Sequence, residues 1–189
     1  QNVLWAVTQD IDAEFGTNYQ ERLKKWILHA QEKGLTSAGA LTDAKGDRSL
    51  KPSQQPDPDT NLHVTEIRDD GIVIRGVKAM ICGTAASQEI FLTPGGICGE
   101  DDKDYAVACV VPRDIEGLTI VESTRVSDRR DLEDTAEMDV PNTGITQAWL
   151  LFEDVFVPNE RVFMCGEYKY TASFIGYFTA NYRACIGAC

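Results

Sequence analysis

The sequence has little of what a membrane protein or a nucleic-acid-binding protein needs. Its longest uninterrupted apolar run, from Tyr105 to Val111, is far too short to cross a bilayer. Basic residues are outnumbered, with 18 Lys and Arg against 30 Asp and Glu, and the net charge is −12. A surface with this excess of acid repels phosphate backbones and anionic lipids. We therefore expect neither a nucleic acid nor a membrane as a partner.

Cysteine and histidine are also scarce. Six cysteines in 189 residues are too few for a disulfide scaffold, and no two are arranged as Cys-x-x-Cys. His29 and His63 do not lie at zinc-finger spacing from a cysteine pair. These counts predict free thiols in a reducing, cytoplasmic setting, although Cys185 and Cys189 share one face of a predicted helix.

The hydrophobic pattern changes twice along the chain. Asn18 precedes a helical repeat that ends near Lys33, where Gly34 follows as a C-terminal stop. The next segment, Ser37–Asp57, is rich in Gly, Ser, Asp and Pro, which predicts a loop, either a plain linker or a binding loop. The pattern then alternates with period two in six predicted strands: His63–Ile67, Ile72–Val77, Gln88–Thr93, Tyr105–Val111, Leu118–Ser123 and Gln147–Phe152.

The helical period returns after Arg161. The apolar stripe comprises Phe174, Ile175, Phe178, Tyr182, Cys185, Ile186 and Cys189. The order of helix, strands and helix predicts a mainly β fold, a barrel or two-sheet sandwich with helical flanks. The stripe is too apolar for a solvated terminal helix. We therefore expect it to pack on the β domain, on a second copy, or to stay disordered.

Three segments carry groups that could bind a ligand. In Leu41–Arg48, Thr42 and backbone amides can bond the edge of a planar heterocycle, and Lys45 and Arg48 can pair with phosphates. Asp43 and Asp47 are expected to orient these cations. The alternative interpretation is a solvated turn with local ion pairs.

The other two segments follow predicted strands. After Arg75–Ala79, Gly83 permits close approach of the backbone to a ligand, and Thr84 offers a hydroxyl. The alternative interpretation is an ordinary exit from a strand into a loop. The third segment, Phe152–Arg161, has the pattern of a strand, a proline stop and a helix entry.

Together, in this order and spacing, the segments resemble the middle domain of the acyl-CoA dehydrogenase superfamily. Within it the chain is most similar to the 4-hydroxyphenylacetate 3-hydroxylase family, which includes 4-hydroxybutyryl-CoA dehydratase. The resemblance implies the end of an N-terminal helical domain over 1–36, a β domain over 37–166 and the start of a C-terminal bundle over 167–189. Because the chain begins at Gln1 and stops at Cys189 in an apolar stretch, we expect it to be a piece of a longer protein.

The same resemblance implies FAD bound between the β domain and the bundle, in a homo-oligomer that is expected to be a homotetramer. It assigns the flavin position after the Lys78 strand to Cys82, where the dehydratase usually has Thr. The full set of implied cofactor-binding residues is Leu41, Thr42, Asp43, Lys45, Asp47, Arg48, Cys82 and Thr84.

Besides Cys82, three positions depart from the dehydratase pattern. The resemblance places a late cysteine ligand of the dehydratase [4Fe–4S] cluster at Cys189, but the position of its histidine ligand holds Tyr182. A phenol is a poor substitute for imidazole beside thiolates, so we expect no such cluster. Gln147 and Ile186 stand where the dehydratase has a glutamate and a tyrosine, and neither can exchange a proton in their place. The catalytic residues therefore stay unassigned.

These observations leave three functions open. The overall match favours dehydration or isomerisation of a hydroxyacyl- or enoyl-CoA by a flavin-dependent lyase or isomerase. The missing cluster ligand favours FAD-dependent hydroxylation of a phenol, which would require a separate flavin reductase. The third alternative is a non-catalytic structural or assembly module.

Overall fold

The computed structural model describes residues 1–122 and 147–187, with the backbone alone at 182–186. Three helices and eight strands follow one another along the described chain. The helices are α1 (Asn2–Phe15), α2 (Tyr19–Lys33) and α3 (Tyr170–Gly187). The strands are β1 (Ser37–Ala40), β2 (His63–Ile67), β3 (Gly71–Cys82), β4 (Glu89–Leu92), β5 (Val107–Pro112), β6 (Leu118–Glu122), β7 (Gln147–Pro158) and β8 (Val162–Cys165).

The strands form two four-stranded sheets. One has the order β1-β4-β5-β8 and the other β2-β3-β7-β6. All pairs are antiparallel except β1 with β4, which run parallel in the register Ala40 to Leu92. Because their carboxyl ends meet at the same edge, the segments that follow Ala40 and Leu92 lie side by side, and the Thr93 amide donates to the Ala40 carbonyl at 3.1 Å.

One continuous core joins both sheets and the helices. Its fully buried members include Leu23 of α2, Leu92 and Val110 of the first sheet, and Ile74 and Leu150 of the second. Phe174 of α3 belongs to the same core, so this helix packs on the rest of the chain at its first turns. This fold confirms the predicted mainly β architecture flanked by helices. The division at residues 36 and 166 stays a prediction.

The start of α2 differs from the sequence prediction. The helix does begin after Asn18, but the Asn18 side chain makes no capping hydrogen bond. The Asp12 carboxylate of α1 instead accepts from the amides of Tyr19 and Gln20, at 2.8 and 2.9 Å. A carboxylate suits the positive end of the helix dipole, so this contact fixes α2 against α1. Gly34 ends α2 with φ 64°, as predicted.

Two strands were absent from the prediction. Ser37–Ala40 falls in the predicted loop because its small residues carry little strand signal, and it is a strand through its pairing with buried β4. Val162–Cys165 falls in the predicted helical region but pairs with β5. In addition, β7 continues past Phe152 to Pro158. Ser123, the last residue of the predicted strand Leu118–Ser123, lies outside the described residues.

In the described part of the chain, no helix is long and apolar enough to span a membrane.

Candidate functional site

The Leu41–Arg48 loop starts where β1 ends, beside the segment that follows β4. It also runs along β3. The Ala79 amide donates to the Thr42 carbonyl at 2.8 Å, and Asp43 pairs with Lys78 in an isolated antiparallel bridge. Residues from both sheets therefore fix the first half of the loop.

A buried lysine lies behind this half of the loop. Lys78 is 1% exposed, and its ammonium donates to the Leu41 carbonyl at 3.0 Å and the Thr93 carbonyl at 2.8 Å. It also forms an ion pair with the Asp43 carboxylate at 2.7 Å. The same carboxylate accepts the Leu62 amide at 3.2 Å. The predicted role of Asp43 in orienting Lys45 or Arg48 is therefore wrong, because its partner is Lys78.

The second half of the loop is exposed and has few contacts. Lys45 has a φ of 73°, and neither Lys45 nor Arg48 makes an ion pair with any described residue. The Asp47 carboxylate accepts from the amide and hydroxyl of Ser49 at 2.9 and 2.7 Å. These hydrogen bonds lower the pKa of Asp47. Asp47 thus stabilises a local turn and does not orient the cations as predicted.

Two cavities border the loop. The larger, about 560 Å³, is mostly apolar and lies between α1, α3 and the first sheet; its walls include Gly39, Leu41, Phe91, Thr93, Phe174 and Phe178. The smaller, about 260 Å³, is more polar, with walls that include Thr42, Asp43, Lys45, Gly95, Cys98 and Tyr105. We call Leu41–Asp43 and Thr93–Gly95 the shared wall, because Leu41 and Thr93 line the larger cavity and Thr42, Asp43 and Gly95 line the smaller one.

The smaller cavity is lined by neutral groups apart from Asp43 and Lys45. Burial, followed by the charge of Asp102, raises the pKa of the Cys98 thiol to about 11. Burial and the same carboxylate also raise the pKa of Tyr105. Since Lys78 neutralises Asp43, the exposed Lys45 supplies a positive charge to this side of the wall. The Thr42 hydroxyl makes no hydrogen bond with the described residues and is available to a ligand.

The two other predicted cofactor residues lie at the end of β3. A bulge between Lys78 and Ile81 changes which residues face inward, so that Cys82 is exposed opposite Gln147. The Gln147 amide donates to the Cys82 sulfur at 3.7 Å. Thr84 is 1% exposed and its hydroxyl donates to the Ile81 carbonyl at 3.3 Å. Its hydroxyl is therefore engaged inside the protein and does not offer the free donor that we predicted.

The positions of the predicted metal and catalytic groups are only partly described. Cys189 lies outside the described residues, as do the side chains of Tyr182 and Ile186. Among the side chains that are described, no group of three or more His, Cys, Asp or Glu is arranged to hold a metal ion.

Lys78 was missed as a site residue. The sequence does carry a signal for its burial, because Lys78 lies an even number of residues from Ile72 and Ile74, which both face the core. The sequence gives no local signal for the partners of Lys78, because they come from the segments after β1 and β4, which are distant along the chain.

The fold defines the class of protein. An acyl-CoA dehydrogenase from Geobacillus kaustophilus superposes with a TM-score of 0.53 at 18% identity, covering 89% of this chain and 38% of that one. The architecture is therefore that of the acyl-CoA dehydrogenase fold. A family profile for the 4-hydroxyphenylacetate 3-hydroxylase N-terminal region matches residues 1–164, so the chain belongs to this family.

Three members illustrate the range of the family. The chain is 39% identical over 190 residues to 4-hydroxybutyryl-CoA dehydratase/vinylacetyl-CoA-Δ-isomerase from Clostridium aminobutyricum, covering 100% of this chain and 39% of that protein. An oxygen-tolerant archaeal 4-hydroxybutyryl-CoA dehydratase from N. maritimus superposes with a TM-score of 0.88 at 32% identity, over 96% of this chain and 37% of that one. A variant of HpaB complexed with FAD superposes with a TM-score of 0.72 at 25% identity, over 92% and 36%. The chain thus spans about two fifths of the length of these relatives.

Proposed function

We propose that this chain is the cofactor-binding part of a flavin-dependent enzyme that dehydrates or isomerises a hydroxyacyl- or enoyl-CoA. The observation that carries the proposal is the Leu41–Arg48 loop, whose first half is fixed and whose second half presents cations that have no ion-pair partner among the described residues. This loop lies between an apolar cavity and a polar cavity. The similarity to two 4-hydroxybutyryl-CoA dehydratases supports the choice of substrate class.

The residues present fit FAD. The free Thr42 hydroxyl and the Leu41–Asp43 backbone would hold the edge of the ring system, and Lys45 and Arg48 would pair with the phosphates. The exposed Cys82 would face the ring, at the position that the family resemblance assigns. The smaller cavity, at about 260 Å³, has room for part of such a cofactor. When bound, the flavin would supply the electron-transfer chemistry that side chains lack.

The larger cavity would hold the acyl part of the substrate. Its walls bring Phe91, Phe174 and Phe178 together, and such apolar walls exclude water and bind hydrocarbon. Leu41 and Thr93 form its border with the loop, which would place the acyl group beside the flavin. We further propose a homo-oligomer acting on a small-molecule substrate.

A second candidate is an FAD-dependent phenol hydroxylase with a separate reductase. The substitutions at three positions of the dehydratase pattern favour it, since Gln147, Tyr182 and Ile186 replace a glutamate, a histidine and a tyrosine. The relationship to HpaB, the oxygenase component of 4-hydroxyphenylacetate 3-monooxygenase, supports the same alternative. A non-catalytic assembly module is the third outcome.

Ultraviolet–visible spectroscopy of the purified full-length protein, with FAD titration, tests the proposal, because we expect this piece alone to be inactive. We expect flavin bands without broad iron–sulfur absorbance, and turnover of a hydroxyacyl-CoA in preference to a phenol with reduced FAD. Turnover of the phenol alone would favour the hydroxylase, and an absence of flavin binding would favour the assembly module. Close to four irons per subunit after anaerobic purification would contradict the expected absence of a cluster.

A single hydroxyl provides the sharpest variant test. Thr42→Val keeps the shape of the side chain and removes the donor, so we expect FAD to bind about tenfold more weakly with stability unchanged. Thr119→Val removes an exposed hydroxyl from β6 and serves as the matched control. Equal FAD affinity in the two variants would exclude Thr42 from the site.

A further inference from the structure

Lys78 is a fully buried cation whose hydrogen-bonding capacity is used completely. An ammonium group has three donors, and here they meet three oxygens at 2.7 to 3.0 Å, those of Asp43, Thr93 and Leu41. Burial of a charge is costly unless it is paired and hydrogen-bonded. The geometry therefore depends on all three partners being in place together.

The three partners belong to the shared wall. Leu41 and Thr93 border the larger, apolar cavity, whereas Asp43 borders the smaller, polar cavity. Lys78 itself lines neither cavity, since it lies behind the wall on β3. One ammonium thus joins the two segments that separate the cavities.

Gly95 packs closely against Asp43 and Leu41. A Cβ at Gly95 would lie 2.0 Å from Asp43 Oδ2 and 2.8 Å from the Leu41 carbonyl oxygen. The other carboxylate oxygen accepts the Leu62 amide and pairs with Lys78. Gly95, the Leu62 amide and Lys78 therefore fix Asp43 together, and the position of this part of the loop depends on Lys78.

We propose that Lys78 is a positioning residue that sets the shared wall, and that it thereby controls the binding of both cofactor and substrate without touching either. The assignment of the two ligands rests on the proposed function. The control of the wall by Lys78 rests on the contacts alone. Loss of Lys78 releases the Leu41 and Thr93 carbonyls at the larger cavity and the Asp43 carboxylate at the smaller one, so both cavities change at once.

Two variants separate positioning from a general loss of stability. Lys78→Met keeps the length of the side chain but leaves the Asp43 carboxylate unpaired. The double variant K78M/D43N removes both charges and so leaves no buried unpaired ion. Lys25→Met, which removes an exposed lysine from α2, is the matched control. Circular dichroism and thermal melting identify the folded variants.

Hydrogen exchange of the purified protein without ligand gives the first readout. The amides to follow are those of Ala79 and Ala44, which donate to the Thr42 and Thr60 carbonyls. In folded K78M/D43N we expect their exchange to rise about tenfold while amides of β5 keep their protection. Unchanged exchange at Ala79 and Ala44 would overturn the proposal, and so would an equal rise throughout the protein.

Ligand binding gives the second readout. We expect FAD to bind about tenfold more weakly in K78M/D43N, with KM for the acyl-CoA raised more than kcat is lowered. Combined with Thr42→Val, the losses in FAD affinity should be non-additive, because both changes act through one loop. Additive losses would overturn the proposal. If the unsubstituted protein binds no FAD, the proposed function fails, and hydrogen exchange alone decides the role of Lys78.

Discussion

The two halves of the Leu41–Arg48 loop differ in how they are held. Leu41, Thr42 and Asp43 each contact β3, through Lys78 or the Ala79 amide. Lys45 and Arg48 are exposed and have no ion-pair partner among the described residues. The first half is therefore fixed at the wall between two cavities, whereas the positive charges of the second half are available to a ligand.

This difference suits the two halves to different parts of a ligand, a planar group for the first half and a charged group for the second. A planar group binds best against a rigid edge, because little conformational entropy is then lost on binding. Flexible cations can adjust to a charged ligand, at the cost of ordering their long side chains. Substitutions that disturb the contacts of the fixed half should therefore change both stability and binding, whereas those in the exposed half should change binding alone.

Gly95→Ala should have the largest effect on stability. Its Cβ would lie 2.0 Å from Asp43 Oδ2, so the variant forces the fixed half of the loop to move. We expect the free energy of unfolding to fall by about 3 kcal/mol, the upper range for overpacking. Gly96→Ala is the matched control, because its Cβ would meet nothing within 4 Å. Denaturant unfolding measures both, and equal stability of the two variants would contradict the fixed position of Asp43.

Asp102→Asn should have a smaller, pH-dependent effect on the segment that follows the loop. The buried carboxylate accepts from the Ser53 amide and hydroxyl, at 3.0 and 2.6 Å, and from the Gly99 amide at 2.9 Å. Burial alone would raise its pKa, but these bonds and nearby Lys51 outweigh burial and lower it. We expect a loss of about 1.5 kcal/mol at neutral pH.

The pH dependence follows from the sign of that shift. A carboxyl with a lowered pKa in the folded state stabilises the protein above its unfolded pKa, about 3.9, and this stabilisation disappears as the pH falls through the folded value. The difference between the original protein and Asp102→Asn should therefore be constant near neutrality and shrink below about pH 4. Asp101→Asn, at an exposed neighbour, is the matched control. Denaturant unfolding at a series of pH values from 7 to 3 measures the difference in free energy of unfolding between the original protein and each variant.

Local sequence signals predicted most of the fold. Alternating apolar residues on either side of Asp69-Asp70-Gly71 are typical of a hairpin, which β2 and β3 form, and β2 has the predicted bounds His63–Ile67. The strand β1 was not predicted, since Ser-Ala-Gly-Ala has no apolar alternation and depends on a partner 52 residues later, as in the register of Ser37 with Glu89.

The site was predicted less completely than the fold. The position of the loop follows from composition and from the family resemblance, and its exposed cations are consistent with the expected role. The pairing of Asp43 with Lys78, however, depends on a bridge between the loop and β3 that no local pattern encodes. The burial of Thr84 has a similar cause, because its short helical turn follows the bulged strand.

Arg48→Ala should have the smallest effect on stability and a clear effect on binding. The side chain is exposed and makes no ion pair with the described residues, so its removal leaves no buried group unsatisfied. An exposed substitution of this kind changes the free energy of unfolding by no more than about 0.5 kcal/mol. If Arg48 pairs with a flavin phosphate, its loss should weaken FAD binding about tenfold, and more at low salt than at high salt. Lys25→Ala removes an equal charge from α2 and controls for the net charge of the protein. Unchanged flavin occupancy after purification, or an equal loss in both variants, would remove Arg48 from the site and leave the fixed half of the loop to bind the cofactor alone.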